Sequence, residues 1–401
     1  MAQAATTAPA NGTPAAYPPL DEVRRTMRVR WYRSPIDPRV LRGLMQRSDL
    51  KGWFQSVGPL VLLAASGLLT WHLFARQMWV GFAAALFLHG TMGSIYAAAN
   101  HELTHGTVFR TKALNQFFKR FYALLTWFNF YDYAMSHTYH HRYTLHPNGD
   151  REEVLPRSPT FRFFFLVQIL TLNFTGGPHT AGLIPVIGYT VKRALNRTGT
   201  GDRGGLASPK AEWLTAVYAG HPEELRKSVR WARLILLFHA LVLAAAIVFQ
   251  LWLLPVLVSL PIFIANFWRY VTHLPMHCGL RTNVADFRKC VRSIKLDPLS
   301  TFLYWRMNWH MEHHMYAGVP CYNLRRLGKA IAADTPEPKW VFAAWREMRA
   351  TWRRQQVEPG YQYDVPLPAT AQRPAEKSNG HGNADRLGAS IGDLAPAVIA
   401  D

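Results

Sequence analysis

Eight histidines in three short clusters are the residues of this chain best suited to chemistry: His101 and His105 in HELTH, His137, His140 and His141 in HTYHH, and His310, His313 and His314 in HMEHH. Neutral imidazole is the commonest protein ligand for a transition metal, and spacings of three and four residues put rings on one face of a helix. The chain has 17 histidines in 401 residues. A chosen three-histidine pattern then arises by chance about 0.03 times in a chain of this size, yet His-x-x-His-His occurs twice. One ion accepts about four to six ligands, so eight nitrogens imply two ions. Glu102, Glu312, Asp132 and Asp150 lie within or beside the clusters. Such carboxylates suit a supporting role, accepting the outer ring N–H and fixing each tautomer.

The elements that must position these rings are apolar blocks. Residues 58–75 and 78–99 carry no charge and are separated only by Arg76 and Gln77; each is close to the ~20 residues a helix needs to span hydrocarbon. A second pair, 232–250 and 251–268, has almost no polar connection. The expected fold is therefore an all-α integral membrane protein, with four transmembrane helices in two hairpins and a cytoplasmic helical cap carrying the histidines. The aromatic stretches 117–131 and 161–187 read as interfacial or re-entrant pieces. A disordered N-terminal tail (1–22) and C-terminal tail (366–401), both rich in Ala and Pro, flank a membrane domain over 23–365.

Charge sets the orientation. Lys and Arg outnumber Asp and Glu by 45 to 25, for a net charge of +20, and they crowd the segments outside the spans while the predicted outer turns carry only Arg76. The positive-inside rule places both termini, the long loop and the active site in the cytoplasm. Because the basic residues flank spans and form no separate domain, a nucleic-acid partner is not expected. No basic region precedes an apolar stretch at the N-terminus, so no cleaved signal peptide is expected. Cys278, Cys290 and Cys321 lack CxxC spacing, which argues against a disulfide framework or zinc knuckle.

After the fourth predicted span, THLPMH adds His273 and His277. Pro275 argues against a regular helix through both. His273, nearer the helix end, is the favoured ninth ligand, and Asn266 is a further polar group near the same span.

The order HELTH, HTYHH, HMEHH around a second membrane hairpin resembles the three histidine boxes of the membrane fatty acid desaturase and hydroxylase superfamily, over roughly residues 55–330. The stretch NWHMEHHMYAGVPCYNL is similar to the extended third box of acyl-lipid desaturases, with Pro320 and Leu324 at matching offsets. This resemblance implies a non-haem di-iron centre with O2 as co-substrate, and His101, His105, His137, His140, His141, His310, His313 and His314 as iron ligands, with His273 as the extra one. It further implies a desaturase acting on an acyl chain or similar lipid-like substrate, with a hydroxylase or other oxygenase of the superfamily as the alternative. No cysteine spacing for an iron–sulfur cluster and no GxGxxG is present, so a separate electron donor of ferredoxin, rubredoxin or cytochrome b5 type is expected at the basic face.

Two other classes compete. His101-Glu102-x-x-His105 is also the HExxH of zinc proteases, but that reading leaves six box histidines without a role. A transporter would place ionisable residues near the bilayer midplane, whereas these clusters lie outside the spans; His72, His89 and His239 within them read as isolated packing or interfacial residues.

Overall fold

The computed structural model describes residues 20–150, 152, 159–177, 180–197 and 211–373. Most of the two predicted tails lies outside the described residues. Residues 366–373 are described, and the Gln372 amide donates to Asp334 Oδ1 at 2.6 Å.

Helix α1 (Asp49–Ala75) begins under a Ser48 cap, and α2 (Trp79–Ile95) returns along it after a turn at Arg76–Met78, where Gln77 adopts φ 55°. A one-residue turn at Tyr96 leads into α3 (Ala97–Thr104), which carries His101. Helix α4 (Phe130–Tyr143) holds the second cluster; its N-cap Asn129 accepts the amides of Tyr131 and Asp132. Helix α5 (Pro222–Val248) follows, then α6 (Phe267–His273), α7 (His310–Met315) with the third cluster, and α8 (Val341–Gln355). A two-residue parallel ladder joins β1 (Ile294–Lys295) to β2 (Lys339–Trp340). The chain is thus mostly helical, not wholly so.

Among the described residues, three helices are long and apolar enough to cross a membrane: Asp49–Ala75, Trp79–Thr104 and Pro222–Val248. Leu68 on α1 and Leu241 and Val248 on α5 remain exposed, an apolar surface that suits lipid. The expected fourth span is not an unbroken helix. Between 251 and 273 the chain forms Leu254–Val258, a 3-10 turn at Pro261–Phe263, a kink at Ala265 (φ 45°), and then α6. Pro255 lies in the first turn of Leu254–Val258, where its missing N–H is tolerated, while Pro261 lacks the donor needed to continue that helix, so regular helix stops before it. The stretch 161–187 is likewise split, into helices Phe163–Leu170 and Leu183–Ala194.

A broken segment in apolar surroundings needs partners for its freed backbone groups, and neighbouring elements bond to it. His89 Nε2 donates to the Leu257 carbonyl (2.9 Å) and Trp127 Nε1 to that of Ser259 (2.8 Å). His239 Nε2 donates to the Leu124 carbonyl (3.0 Å), and its Nδ1 meets the Ser259 hydroxyl at 2.8 Å beneath a stacked Trp127 ring. The Asn173 amide donates to Phe263 O, and Ala265 N to Thr171 O. His89 and His239 are therefore not isolated packing residues. The segment approaches α2 closely: a Cβ on Gly90 would come within 2.5 Å of the Ile264 carbonyl oxygen, so glycine is what permits the contact.

Asp132 anchors α4. Its carboxylate accepts from Tyr189 (2.6 Å), Tyr218 (2.7 Å), Ser228 (2.6 Å) and Arg193 Nε (3.2 Å). It ties the second histidine helix to Leu183–Ala194, Ala211–Tyr218 and α5, and it does not support a histidine ring, as the sequence had suggested.

Candidate metal centre

All eight box histidines converge. His101, His105, His137, His141 and His313 form one group, and His140, His277, His310 and His314 a second; within each, one candidate ligand atom per residue lies within 4.8 Å of every other. The groups are adjacent, with the His141 and His314 rings stacked at 4.3 Å.

Helical geometry explains the allocation. In His-x-x-His-His the first and last histidines are four residues apart and share a face, whereas the middle one is rotated from the last by about 100°. His137 and His141 therefore enter the five-ring group while His140 enters the four-ring group. In the third cluster the assignment is reversed: His310 and His314 join the four-ring group and His313 the five-ring group. Each of the two His-x-x-His-His clusters straddles both groups, while His101 and His105 both enter the five-ring group.

The outer nitrogens settle which inner ones carry lone pairs. His137 Nδ1 meets Glu152 Oε2 at 3.0 Å, His140 Nδ1 meets Asp150 Oδ2 at 2.8 Å, and His277 Nδ1 meets the Cys290 carbonyl at 3.1 Å. The Thr144 hydroxyl donates to His140 O, so at 3.1 Å it accepts from His314 Nδ1. A carbonyl or carboxylate only accepts, so these rings donate from Nδ1 and turn a bare Nε2 inward. His101 Nδ1 is also engaged, 2.6 Å from the Tyr133 hydroxyl.

The inner nitrogens then crowd one another. His310 Nε2 lies 3.0 Å from His277 Nε2 and 3.1 Å from His314 Nε2; one imidazole proton can serve only one of two such lone pairs. In the five-ring group, His137 Nε2 is 3.0 Å from that of His141 and 3.2 Å from that of His105, and His313 Nε2 lies 2.7–3.2 Å from those of His101, His105 and His141. Two nitrogens each about 2.1 Å from one ion and about 90° apart would be about 3.0 Å from each other. Burial pushes His105 down to about 4 and holds His137, His141, His313 and His314 well below the usual imidazole range. The rings are neutral at pH 7, as metal ligation requires. These donors fit two cations.

The placement differs from the sequence expectation at several residues. His277, not His273, joins the second group: the 3-10 turn Leu274–Met276 redirects the chain after α6, and His273 Nδ1 instead lies 3.3 Å from the Tyr304 hydroxyl. Asn266 donates to the carbonyls of Ala181 and Ile262 at the break. Glu312 accepts from Ser293 at 2.5 Å and not from a ring, and burial raises it to about 7. Glu102 is fully buried with its Oε1 3.6 Å from His313 Nδ1 and 3.8 Å from His101 Nε2, and neither of its oxygens has a hydrogen-bond partner among the described residues. Asp150 takes the expected place against His140. Glu152, Tyr133 and the Cys290 carbonyl were not anticipated; the pair Asp150-x-Glu152 was the one available signal, two acids close after the second cluster that reach two of its rings.

No curated protein matches the chain. The sequence model of the fatty acid desaturase family matches residues 77–346, which is more than half of the 401 residues and contains every histidine of both groups. Histidine boxes, apolar helices and this match agree: the chain belongs to the fatty acid desaturase family and is an oxidoreductase of a multi-pass membrane type.

Proposed function

We propose that this chain is an O2-dependent di-iron desaturase that introduces a double bond into an acyl chain or similar lipid-like substrate. The observation that carries the reading is the convergence of nine imidazoles from three boxes and the THLPMH turn into two adjacent groups. His101, His105, His137, His141 and His313 would hold one iron, and His140, His277, His310 and His314 the other. Iron so held, supplied with O2 and two electrons, provides the oxidising power to take hydrogen from an unactivated methylene.

The chain's own residues account for the setting. Asp150, Glu152, Thr144 and the Cys290 carbonyl orient four rings, and burial excludes water from nearly all of them, which suits a strongly oxidising centre. His101 lies 22 residues beyond the start of α2, or about 33 Å along a helix. That distance separates the Arg76–Met78 turn from the centre by about one hydrocarbon thickness. With the Lys and Arg distribution, this supports a centre and termini on the cytoplasmic side, where an acidic ferredoxin, rubredoxin or cytochrome b5 type donor would meet basic surface. Hydroxylation at the same centre is the second reading, since rebound of oxygen and loss of a second hydrogen begin from the same C–H cleavage.

The test is metal analysis of detergent-purified protein, followed by product analysis of lipids from cells expressing it. About two irons per chain and a new alkene support the reading, whereas a new alcohol selects the hydroxylase. One zinc per chain, retained in His140→Ala and His313→Ala but lost in His105→Ala, would replace it with the HExxH protease.

A further inference from the structure

The turn that carries His277 has little regular structure to hold it. Leu274–Met276 is a single 3-10 turn containing Pro275, and Gly279 follows at φ 73°. One residue gathers its carbonyl groups. Arg292 Nη1 donates to the carbonyls of Pro275 and Cys278, the latter at 3.4 Å, and the Arg292 amide donates to Met276 O at 2.8 Å. The carbonyls of residues 275, 276 and 278 thus all bond to Arg292, which is only 7% exposed.

Helix α8 holds Arg292 in turn. Glu347 Oε1 accepts from Arg292 Nη2 at 2.5 Å and from Nε at 3.1 Å, while its Oε2 accepts from Lys339. The same helix packs Met348 into a cluster with Leu274 and Cys278, and it brings Thr351 Cγ2 to 2.9 Å from where a Cβ on Gly279 would stand. Trp345 Nε1 donates to the Val271 carbonyl at 2.8 Å. Glu347 lies one residue beyond the stretch matched by the family.

We infer that Arg292 and Glu347 are positioning residues for the four-ring group: they hold the turn that presents His277 Nε2 to His310, and metal retention by that group alone depends on them. The inference rests on the metal-binding reading above. Outer partners of metal ligands typically contribute roughly 10- to 100-fold in affinity. Lysine at 292 keeps the charge, but its single ammonium cannot span two carbonyls and a carboxylate as the planar guanidinium fork does.

The experiment measures metal per chain in the full-length, detergent-purified protein during timed exposure to a chelator, for wild type, Arg292→Lys, Glu347→Gln and His277→Ala. Wild type should release two ions slowly. Arg292→Lys should release one ion roughly 10- to 100-fold faster, with the second ion leaving at the wild-type rate; His277→Ala, which removes one of the four rings themselves, should lose that same ion more completely, and Glu347→Gln should show the one-ion pattern to a smaller degree than Arg292→Lys. A merely structural ion pair would speed the loss of both ions together and lower the thermal midpoint of the metal-free chain. Equal acceleration of both ions, or none, in Arg292→Lys overturns the inference. Should Arg292→Lys fail to fold, Glu347→Gln decides on the same criterion. A wild type without two ions sinks the parent reading instead, while a one-ion effect in His277→Ala but in neither of the other variants sinks only this one.

Discussion

Replacing His140 by alanine removes one of four nitrogens from one group, whereas replacing its neighbour His141 removes one of five from the other. A four-ligand structural zinc site is worth about 10–16 kcal/mol at pH 7, hence about 2.5–4 kcal/mol per ligand, or about 70- to 900-fold in affinity. His140→Ala leaves three rings, too few to close a four-coordinate site, while His141→Ala leaves four. The expected stoichiometry after gel filtration against a weak chelator is about one ion per chain for His140→Ala and about two for His141→Ala, the second held less tightly. The mirror pair should follow the same rule: His314→Ala should behave like His140→Ala, and His313→Ala like His141→Ala. Elemental analysis gives the count, and circular dichroism checks that the helices persist. Both positions face the same interior, so a general folding defect would affect the two variants alike. Identical metal content in folded His140→Ala and His141→Ala would refute the allocation of consecutive rings to different ions.

Three further outcomes are expected. In the metal-stripped chain, stability should fall as pH drops from about 6.5 to 4. The unfolded chain protonates its histidines in that window while five buried rings, with His105 at about 4, resist, so the unfolded state binds more protons. His105 alone would contribute about 3 kcal/mol; buried carboxyls such as Glu312, raised to about 7, work in the opposite sense but are outnumbered by the five rings, and a thermal midpoint that holds or rises at pH 5 would contradict this. Asp132→Asn leaves buried Arg193 without its counter-charge and should destabilise by about 3–5 kcal/mol in denaturant unfolding, whereas a loss below about 1 kcal/mol would show that the hub does not organise α4. His239→Ala removes the ring donor to the Leu124 carbonyl, which keeps its bond from the Trp127 amide, and should cost about 0.5–1.5 kcal/mol, with His239→Gln, which keeps a donor, recovering part; equal losses in the two variants would argue against hydrogen bonding as its role.

Much of the site could be read directly because the histidine pairs are local. His101/His105, His137/His141 and His310/His314 are each four residues apart, and any helix turns such a pair to one side. The spans α1, α2 and α5 were legible for a similar reason: an uncharged run of sufficient length declares itself without reference to neighbours. The fourth segment did not, since hydropathy registers its apolar residues but not the partners its interrupted backbone finds in His89, Trp127 and Asn173. Asp132 and Glu152 show the same limit among acids. Both sit near the second cluster in sequence, yet only Glu152 meets a ring, while Asp132 faces tyrosines and an arginine contributed from 57 to 86 residues away.

What the sequence by itself determined is therefore the inventory: eight box histidines at helical spacing, apolar helices to carry them, and the family that this combination denotes. Only the tertiary structure decided the allocation of rings into groups of five and four, the choice of His277 over His273, and the use of each acid. The physical reason is that the histidine groups are closed by elements some 200 residues apart in sequence. Local spacing orients a ring on its own helix, but which rings meet is set by how those helices, and the turn clamped by Arg292, pack against one another.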